Sequence, residues 1–168
     1  MRVIGIDPGL KGAMAMVDDK SVIDVIDLPI REAADGKRVL NTEMLAHTIN
    51  RWCHQWPEVV VWVEQATMRP MPRPSIQSVY SISRMFGALE GMLAVLGQCA
   101  RFVEPVVWKR SHSLLKKPKG ASIVMASEIY ANAAPYLTRV KDHDRAEAML
   151  IAHYGMVTAM LAPSADPV

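Results

Sequence analysis

Acidic residues stand where two apolar runs of the sequence end. Asp7 follows the apolar residues 3–6, and Glu64 follows the unbroken apolar run 59–63. The second run is typical of a strand that is buried on both faces. If the two strands are parallel in one sheet, both carboxylates emerge at its carboxyl edge, where α/β sheets bind ligands. Each acid alone is better interpreted as a solvated strand end, but the pair favours a functional site.

A third acidic group opens the predicted last helix. Asp144 and Glu147 are three residues apart and share one helix face. The same spacing before an apolar run is a capping-box pattern, and this segment taken alone favours the cap. Carboxylates that converge without matching bases would repel one another. Divalent metal ions relieve such repulsion, and Mg²⁺ sites combine a few carboxylates with water and phosphate.

Basic residues are concentrated in two stretches. Residues 69–84 contain three arginines and no acid, and residues 101–120 contain six basic residues against Glu104. The formal net charge is only +2, so the rest of the chain is acidic. Two basic stretches on an otherwise acidic protein indicate that a polyanionic partner binds one surface. A solvated basic loop is the alternative interpretation of residues 116–119.

The elements that must position these residues predict an α/β fold. Hydrophobic residues make up 51% of the 168 residues, enough for one domain spanning 1–168. Apolar runs bounded by turn signals predict strands over 3–7, 12–17, 22–28, 59–63 and 101–104. Helical spacing and capping residues predict helices over 41–56, 75–96, 105–109, 121–133 and 142–161. Residues 29–40 are predicted to form a polar loop. This order of elements predicts a mixed sheet.

Secreted and membrane classes of protein are disfavoured. The first apolar run meets Asp7 after four residues, which is too short for the core of a signal peptide. The longest uncharged run, residues 148–165, contains Pro163 and favours a buried helix over a membrane span. Cys53 and Cys99 form no CxxC pair and are interpreted as reduced core thiols. We expect a cytoplasmic protein with no membrane partner, in a bacterial cell or in the host of a phage.

Three segments, in this order, resemble the RuvC family of Holliday junction resolvases. They are residues 4–12 with their Asp-Pro-Gly turn, Val63-Glu64-Gln65, and Asp144-x-x-Glu147-Ala148. Residues 105–109 resemble the proline-to-lysine segment of the family, and helix 75–97 occupies the place of its dimer helix. The order covers most of the chain, and its compact size suits a phage-type member. The resemblance implies a ribonuclease-H-like α/β fold, in which three antiparallel amino-terminal strands join parallel strands flanked by helices.

The resemblance also implies a homodimeric endonuclease that resolves four-way DNA junctions by paired nicking. Asp7, Glu64, Asp144 and Glu147 would hold two Mg²⁺ ions about 4 Å apart, with Mn²⁺ as a substitute. Lys109 would join the catalytic group by holding the scissile strand. A non-catalytic junction-binding protein is one alternative. A second is another ribonuclease-H-like nuclease, one that cuts flaps or RNA–DNA hybrids.

The implied DNA contacts come from the two basic stretches, and Lys119 is the loop lysine that best matches the family. The family carries an aromatic wedge shortly after the second acid, and this chain has none there. Met68 as an apolar wedge or Arg69 as a stacking group could replace it. The expected DNA-contacting residues are Met68, Arg69, Arg73, Lys109, Lys116, Lys117 and Lys119.

Other positions leave alternatives open. The last acid of the family is aspartate, whereas this chain has Glu147. A register that uses Asp142 is disfavoured because Arg145, three residues later, is no metal ligand. His143 either joins the acidic group or is a solvated residue at the helix start, and the second is favoured. Two glycines at helical spacing, 87 and 91, serve either a dimer seam or packing within the monomer.

Overall fold

The computed structural model describes residues 1–56, 58–65 and 75–161. The strands in these ranges are β1 (Arg2–Asp7), β2 (Ala13–Val17), β3 (Val22–Asp27), β4 (Ile30–Glu32), β5 (Arg38–Leu40), β6 (Val59–Glu64) and β7 (Ala100–Val103). The helices are α1 (Thr42–Gln55), α2 (Ile76–Val95), α3 (Pro105–Ser111), α4 (Ala121–Ile129) and α5 (His143–Leu161). Short 3₁₀ turns cover Ala134–Tyr136 and Val140–Asp142.

The main sheet has five strands in the order β3-β2-β1-β6-β7. β1, β2 and β3 are antiparallel neighbours, while β6 lies parallel to β1 and β7 lies parallel to β6. The predicted mixed sheet, with three antiparallel amino-terminal strands and further parallel strands, is confirmed. Its consequence for function is that β1 and β6 end at the same edge.

Apolar residues cover both faces of this sheet. One face packs against α4 and α5, whose buried residues include Ala126 and Met149. The other face packs against α1 and α2 through residues such as Trp52 and Leu89. Helix α5 is buried on several sides, so the part of the uncharged run that it contains forms core, as predicted. In the part of the chain that the structure describes, no helix is both long and apolar enough to cross a membrane.

Residues 30–40 form a hairpin, and the predicted loop over 29–40 is wrong. β4 and β5 pair antiparallel, with Ile30 opposite Leu40, and Gly36 takes a positive φ of 76° in the turn. The strands have three residues each, too few to show alternation in the sequence. Leu40 packs into the core on the α1 side, which anchors the hairpin to the body.

Two further expectations need correction. The predicted helix 121–133 ends at Ile129, because the Asn132 side chain leaves the helical path to pair with β3. Its amide donates to the Val22 carbonyl at 2.8 Å, and its oxygen accepts from the Val22 N–H at 3.0 Å. Cys99 is exposed and is no core thiol, whereas Cys53 is partly buried.

Candidate active site

The two strand-end acids lie next to each other. Asp7 is the last residue of β1 and Glu64 is the last residue of β6. Because these strands are parallel and Ile6 pairs with Val63, the two carboxylates emerge at the same edge of the sheet. The parallel pairing on which the sequence hypothesis depended is therefore present.

Helix α5 brings the other two acids to this edge. Asp144 and Glu147 lie in its first two turns, and the helix packs directly on β1. Gly5 permits this close approach, because a Cβ at that position would overlap the carbonyl oxygen of Ala148. Any side chain at Gly5 would push α5 away from the strand, and the helical acids away from Asp7.

Helix α3 contributes two adjacent side chains that contact the acids. The Lys109 ammonium forms an ion pair with Glu147, with 2.9 Å between Nζ and Oε2. The Trp108 indole Nε1–H donates to the Glu64 carboxylate at 2.7 Å. Pro105 occupies the first turn of this short helix, where the missing N–H costs nothing. One helix therefore contacts an acid from the sheet and an acid from α5.

The acidic cluster, defined here as Asp7, Glu64, Asp144 and Glu147, carries more negative charge than its bases neutralise. Burial raises the pKa of Asp7 well above its ordinary value, and the charges of the other three acids raise it further. Lys109 acts in the opposite direction and is outweighed. Since the pKa reports the energy of placing a charge, the cluster stores repulsion that a cation would relieve.

The acidic cluster opens into a cleft of about 630 Å³ whose lining includes the basic loop. Three of the four acids line it (Asp7, Asp144 and Glu147), together with Lys109 and the loop lysines Lys116, Lys117 and Lys119. The three loop lysines are exposed, and Lys116 has a positive φ of 60°, which bends the loop. The structure thus places the loop lysines and the acids along one cleft.

The fold of the chain is similar to that of solved Holliday junction resolvases. The chain is similar to Thermus thermophilus RuvC in complex with Holliday junction substrate, with 17% identity and a TM-score of 0.65 over 96% of this chain and 97% of that chain. A second structure of that RuvC has 18% identity and a TM-score of 0.62 over 94% and 97%. The fowlpox virus Holliday junction resolvase has 15% identity and a TM-score of 0.52 over 94% and 99%. No protein-family model and no curated protein matches the chain.

The chain has the RuvC fold. In this RuvC fold, the donors of the acidic cluster suit a hard divalent cation, because carboxylate oxygens are the ligands that Mg²⁺ prefers. Among the described residues, however, no three His, Cys, Asp or Glu side chains are already grouped as a complete cation site. Lys109 pairs with Glu147, so a cation that binds Glu147 would have to displace this ion pair.

A second acidic pair lies close to the cluster of the RuvC fold, and arginines neutralise it. Asp142 is fully buried and accepts from Arg139, while Asp27 at the end of β3 accepts from both Arg139 and Arg145. The Arg139 backbone N–H donates to Asp142 at 2.6 Å, and this contact caps the 3₁₀ turn Val140–Asp142 that leads into α5.

Two neighbouring histidine positions also need comment. His143 is not the solvated residue that the sequence favours, because its side chain is only 18% exposed and contacts Asp144, with 3.1 Å between Nε2 and Oδ1. It lines the same cleft as the acids. His112, which is buried, and His153, which is partly buried, have ring nitrogens 3.0 Å apart, and His112 packs edge-on against Trp108. Three expected DNA-contacting residues, Met68, Arg69 and Arg73, lie outside the described residues.

Sequence reasoning assigned no role to Trp108 and did not group the charges of the hairpin. Glu64 lines a different cleft, of about 820 Å³, to which the β4–β5 hairpin and α2 contribute. Arg31 and Arg38 from the hairpin and Arg84 from α2 line this cleft. A signal was present, since the loop predicted over 29–40 contains three basic residues, but only the hairpin turns them toward one cleft.

Proposed function

We propose that this protein is a metal-dependent endonuclease that cuts four-way DNA junctions. One observation carries the proposal: an under-neutralised group of carboxylates and a three-lysine loop line the same cleft of a RuvC fold. A site that only bound DNA phosphates would gain nothing from excess negative charge, because the acids repel phosphate. Acids beside a phosphate-binding surface have a function when divalent cations bind both the carboxylates and a phosphate.

The residues of the cleft divide the work of the reaction. When bound, divalent cations stabilise charge on the phosphate and lower the pKa of bound water. Asp7 lies centrally and would hold both cations, with Glu64 on one side and the two α5 acids on the other. If Glu147 turned to hold a cation, Lys109 would lose this ion pair and would contact the scissile strand instead. The loop lysines would hold the phosphates of the junction arms.

A cleavage assay on three substrates tests the proposal. Purified protein is incubated with an immobile four-way junction, a duplex of matched sequence and an RNA–DNA hybrid, in Mg²⁺ or in EDTA. We expect paired nicks in the junction alone, and only with Mg²⁺. Binding of the junction without cutting in Mg²⁺ or Mn²⁺ would instead support a non-catalytic junction-binding protein. Preferential cutting of the hybrid would support a different nuclease of the same fold.

We also propose that α2 forms the seam of a homodimer, which would place two sites on one junction. The first turns of α2 expose apolar side chains, among them Ile76 at 89% and Tyr80 at 59%. Added Cβ atoms at Gly87 and Gly91 would meet no described atom within 4 Å. The described part of the monomer therefore gives these glycines no packing role, and their small size suits the close approach of a second helix.

Sedimentation measurements test the dimer. Gly87→Leu should shift the protein from dimer to monomer while its melting temperature stays within a few degrees. Gly120→Leu is the matched control, because Gly120 also faces open space but lies outside α2. A Gly87→Leu protein that remains dimeric would place the seam elsewhere.

A further inference from the structure

We propose that Trp108 is a positioning residue that orients the Glu64 carboxylate for cation binding through its indole N–H. This inference rests on the proposed function, since it assigns Glu64 to a cation. Trp108 is fully buried, and its Nε1 lies 2.7 Å from Glu64 Oε2. That separation falls within the short range of hydrogen bonds to charged groups, about 2.7–2.9 Å. A buried indole at this distance restricts the carboxylate to a few orientations.

The contacts around Trp108 fix the direction of its indole N–H. Its ring packs edge-on against His112, with ring centroids 6.2 Å apart, and the Lys109 ammonium lies 4.9 Å from its ring centroid. The His112 Nδ1 also contacts the Trp108 carbonyl oxygen at 2.8 Å. Because these contacts surround the indole, its N–H direction is set by the core and not by the solvent.

The two α3 side chains, Lys109 and Trp108, differ in charge and in exposure. Lys109 neutralises Glu147 and is partly exposed, at 30%, so it can move to a phosphate. Trp108 is neutral and buried, so its hydrogen bond orients Glu64 without adding a positive charge beside the carboxylate. Orientation without neutralisation is what a cation ligand requires, and outer-shell donors of this kind typically tune metal affinity about 10–100-fold.

The chain contains a matched control for removing this N–H. Trp62 is buried in β6 and packs edge-on against Tyr154, but its indole Nε1 has no hydrogen-bond partner among the described residues. Trp62→Phe and Trp108→Phe therefore remove the same atoms from two buried tryptophans. Only the second substitution removes a donor to an acid of the cluster.

Cation binding and cleavage are measured for both variants. For Trp108→Phe, we expect the Mg²⁺ concentration for half-maximal junction cleavage to rise about 10-fold or more. Calorimetric titration of the protein alone with Mn²⁺ should show a matching loss of affinity. Trp62→Phe should titrate as the wild type does, even if its melting temperature falls. Trp108→Phe titration curves that match those of Trp62→Phe overturn the positioning role while leaving the proposed function intact.

A spectroscopic measurement covers the case in which Trp108→Phe does not fold. The protein has four tryptophans. In a ¹H–¹⁵N spectrum, one indole cross-peak should move on addition of Mg²⁺ and also in the Glu64→Gln variant. The absence of any cross-peak that responds to both changes overturns the positioning role. A wild-type protein without metal-dependent cutting overturns the proposed function, and the positioning role with it.

Discussion

Two groups of acids meet at the start of α5, and they differ in how their charge is balanced. The balanced pair, Asp27 and Asp142, contacts two arginines. In the acidic cluster of four carboxylates, Lys109 pairs with Glu147. Asp142 and Asp144 are only two residues apart, so one helix start serves both groups.

The pKa values move in opposite directions in the two groups. Burial acts to raise the pKa of Asp142, but the hydrogen bonds and charge of Arg139 outweigh it, and the pKa is lowered. The pKa of Asp27 is lowered in the same way by both of its arginines. Burial and the neighbouring acids raise the pKa of Asp7 well above its ordinary value. Asp27 and Asp142 therefore stabilise the fold through their arginines. The carboxylates of the acidic cluster repel one another, and a bound cation would relieve that repulsion.

The largest expected effect is the loss of cleavage in Asp7→Asn. Removing the central carboxylate should lower the junction cleavage rate in Mg²⁺ by roughly 10³-fold, because a metal ion supplies several kcal/mol to the transition state. Junction binding should be unchanged or tighter, since one negative charge facing phosphate is gone. Single-turnover cleavage and gel-shift binding check the two effects, and a variant that cuts at a near wild-type rate would remove Asp7 from the active site.

Substitutions of Glu147 test whether this acid holds a cation or only forms a stabilising ion pair with Lys109, as Asp27 and Asp142 do with their arginines. If Glu147 holds a cation, Glu147→Ala should lower cleavage by about 10²-fold, whereas Glu147→Asp retains a carboxylate and should keep much of the activity. Single-turnover rates for the two variants decide. Equal, near-normal rates for both would assign Glu147 to an ion pair that only stabilises the fold.

Asp142→Asn should weaken the fold and not the chemistry. The substitution removes the charge of a buried carboxylate that pairs with Arg139, while Arg139 keeps its contacts with Asp27. Both arginines remain partly exposed, so we expect a loss of about 2–3 kcal/mol in the free energy of unfolding, below the range for fully buried pairs. Asp7→Asn, measured without metal, is the contrasting variant and should be as stable as the wild type or more stable. Urea unfolding measures both, and a destabilised Asp7→Asn beside a neutral Asp142→Asn would reverse the comparison.

The basic loop tests whether DNA lies along the cleft of the acidic cluster. Each neutralised phosphate adds about −0.9 to the slope of log affinity against log salt. Joint replacement of Lys116, Lys117 and Lys119 by alanine should flatten that slope by up to about 2.7. Cleavage at saturating protein should survive better than affinity. As a control, replacement of Lys20, an exposed lysine outside the loop, should leave the slope unchanged. An unchanged slope in the triple variant would make the loop an ordinary solvated surface.

The smallest expected effect is a difference in pH dependence. Because the folded pKa of Asp7 is raised, the folded protein binds that proton at a pH where the unfolded chain does not. In EDTA, the free energy of unfolding of the wild type should therefore rise relative to that of Asp7→Asn as the pH falls through the folded pKa toward the ordinary value of 3.8. Asp27 and Asp142 behave in the opposite way, and their contribution is lost only below that value. Thermal melts of both proteins from about pH 8 to about pH 4 measure the difference, and parallel curves would contradict the raised pKa.

Local patterns in the sequence determined the strands that carry Asp7 and Glu64, and both long helices. An apolar run ended by Asp-Pro-Gly, an unbroken β-branched run and helical spacing each have a signature within a few residues of the chain. The mixed sheet also followed, because the order of elements restricts the topologies available to it. The ends of elements were less accessible, since the helix over 121–129 stops for a contact with Val22, far away in the chain.

Only the tertiary structure decided which acids are balanced. Asp27 meets Arg139 and Arg145 more than 110 residues later in the chain, and Trp108 meets Glu64 across 44 residues. The spacing of Asp142, Asp144 and Glu147 is compatible with a cap and with a ligand set. Their surroundings differ because α5 packs on β1, with Asp142 beside arginines and with Asp144 and Glu147 near Asp7. Such partners depend on strand order and helix packing, which leave no pattern in the local sequence.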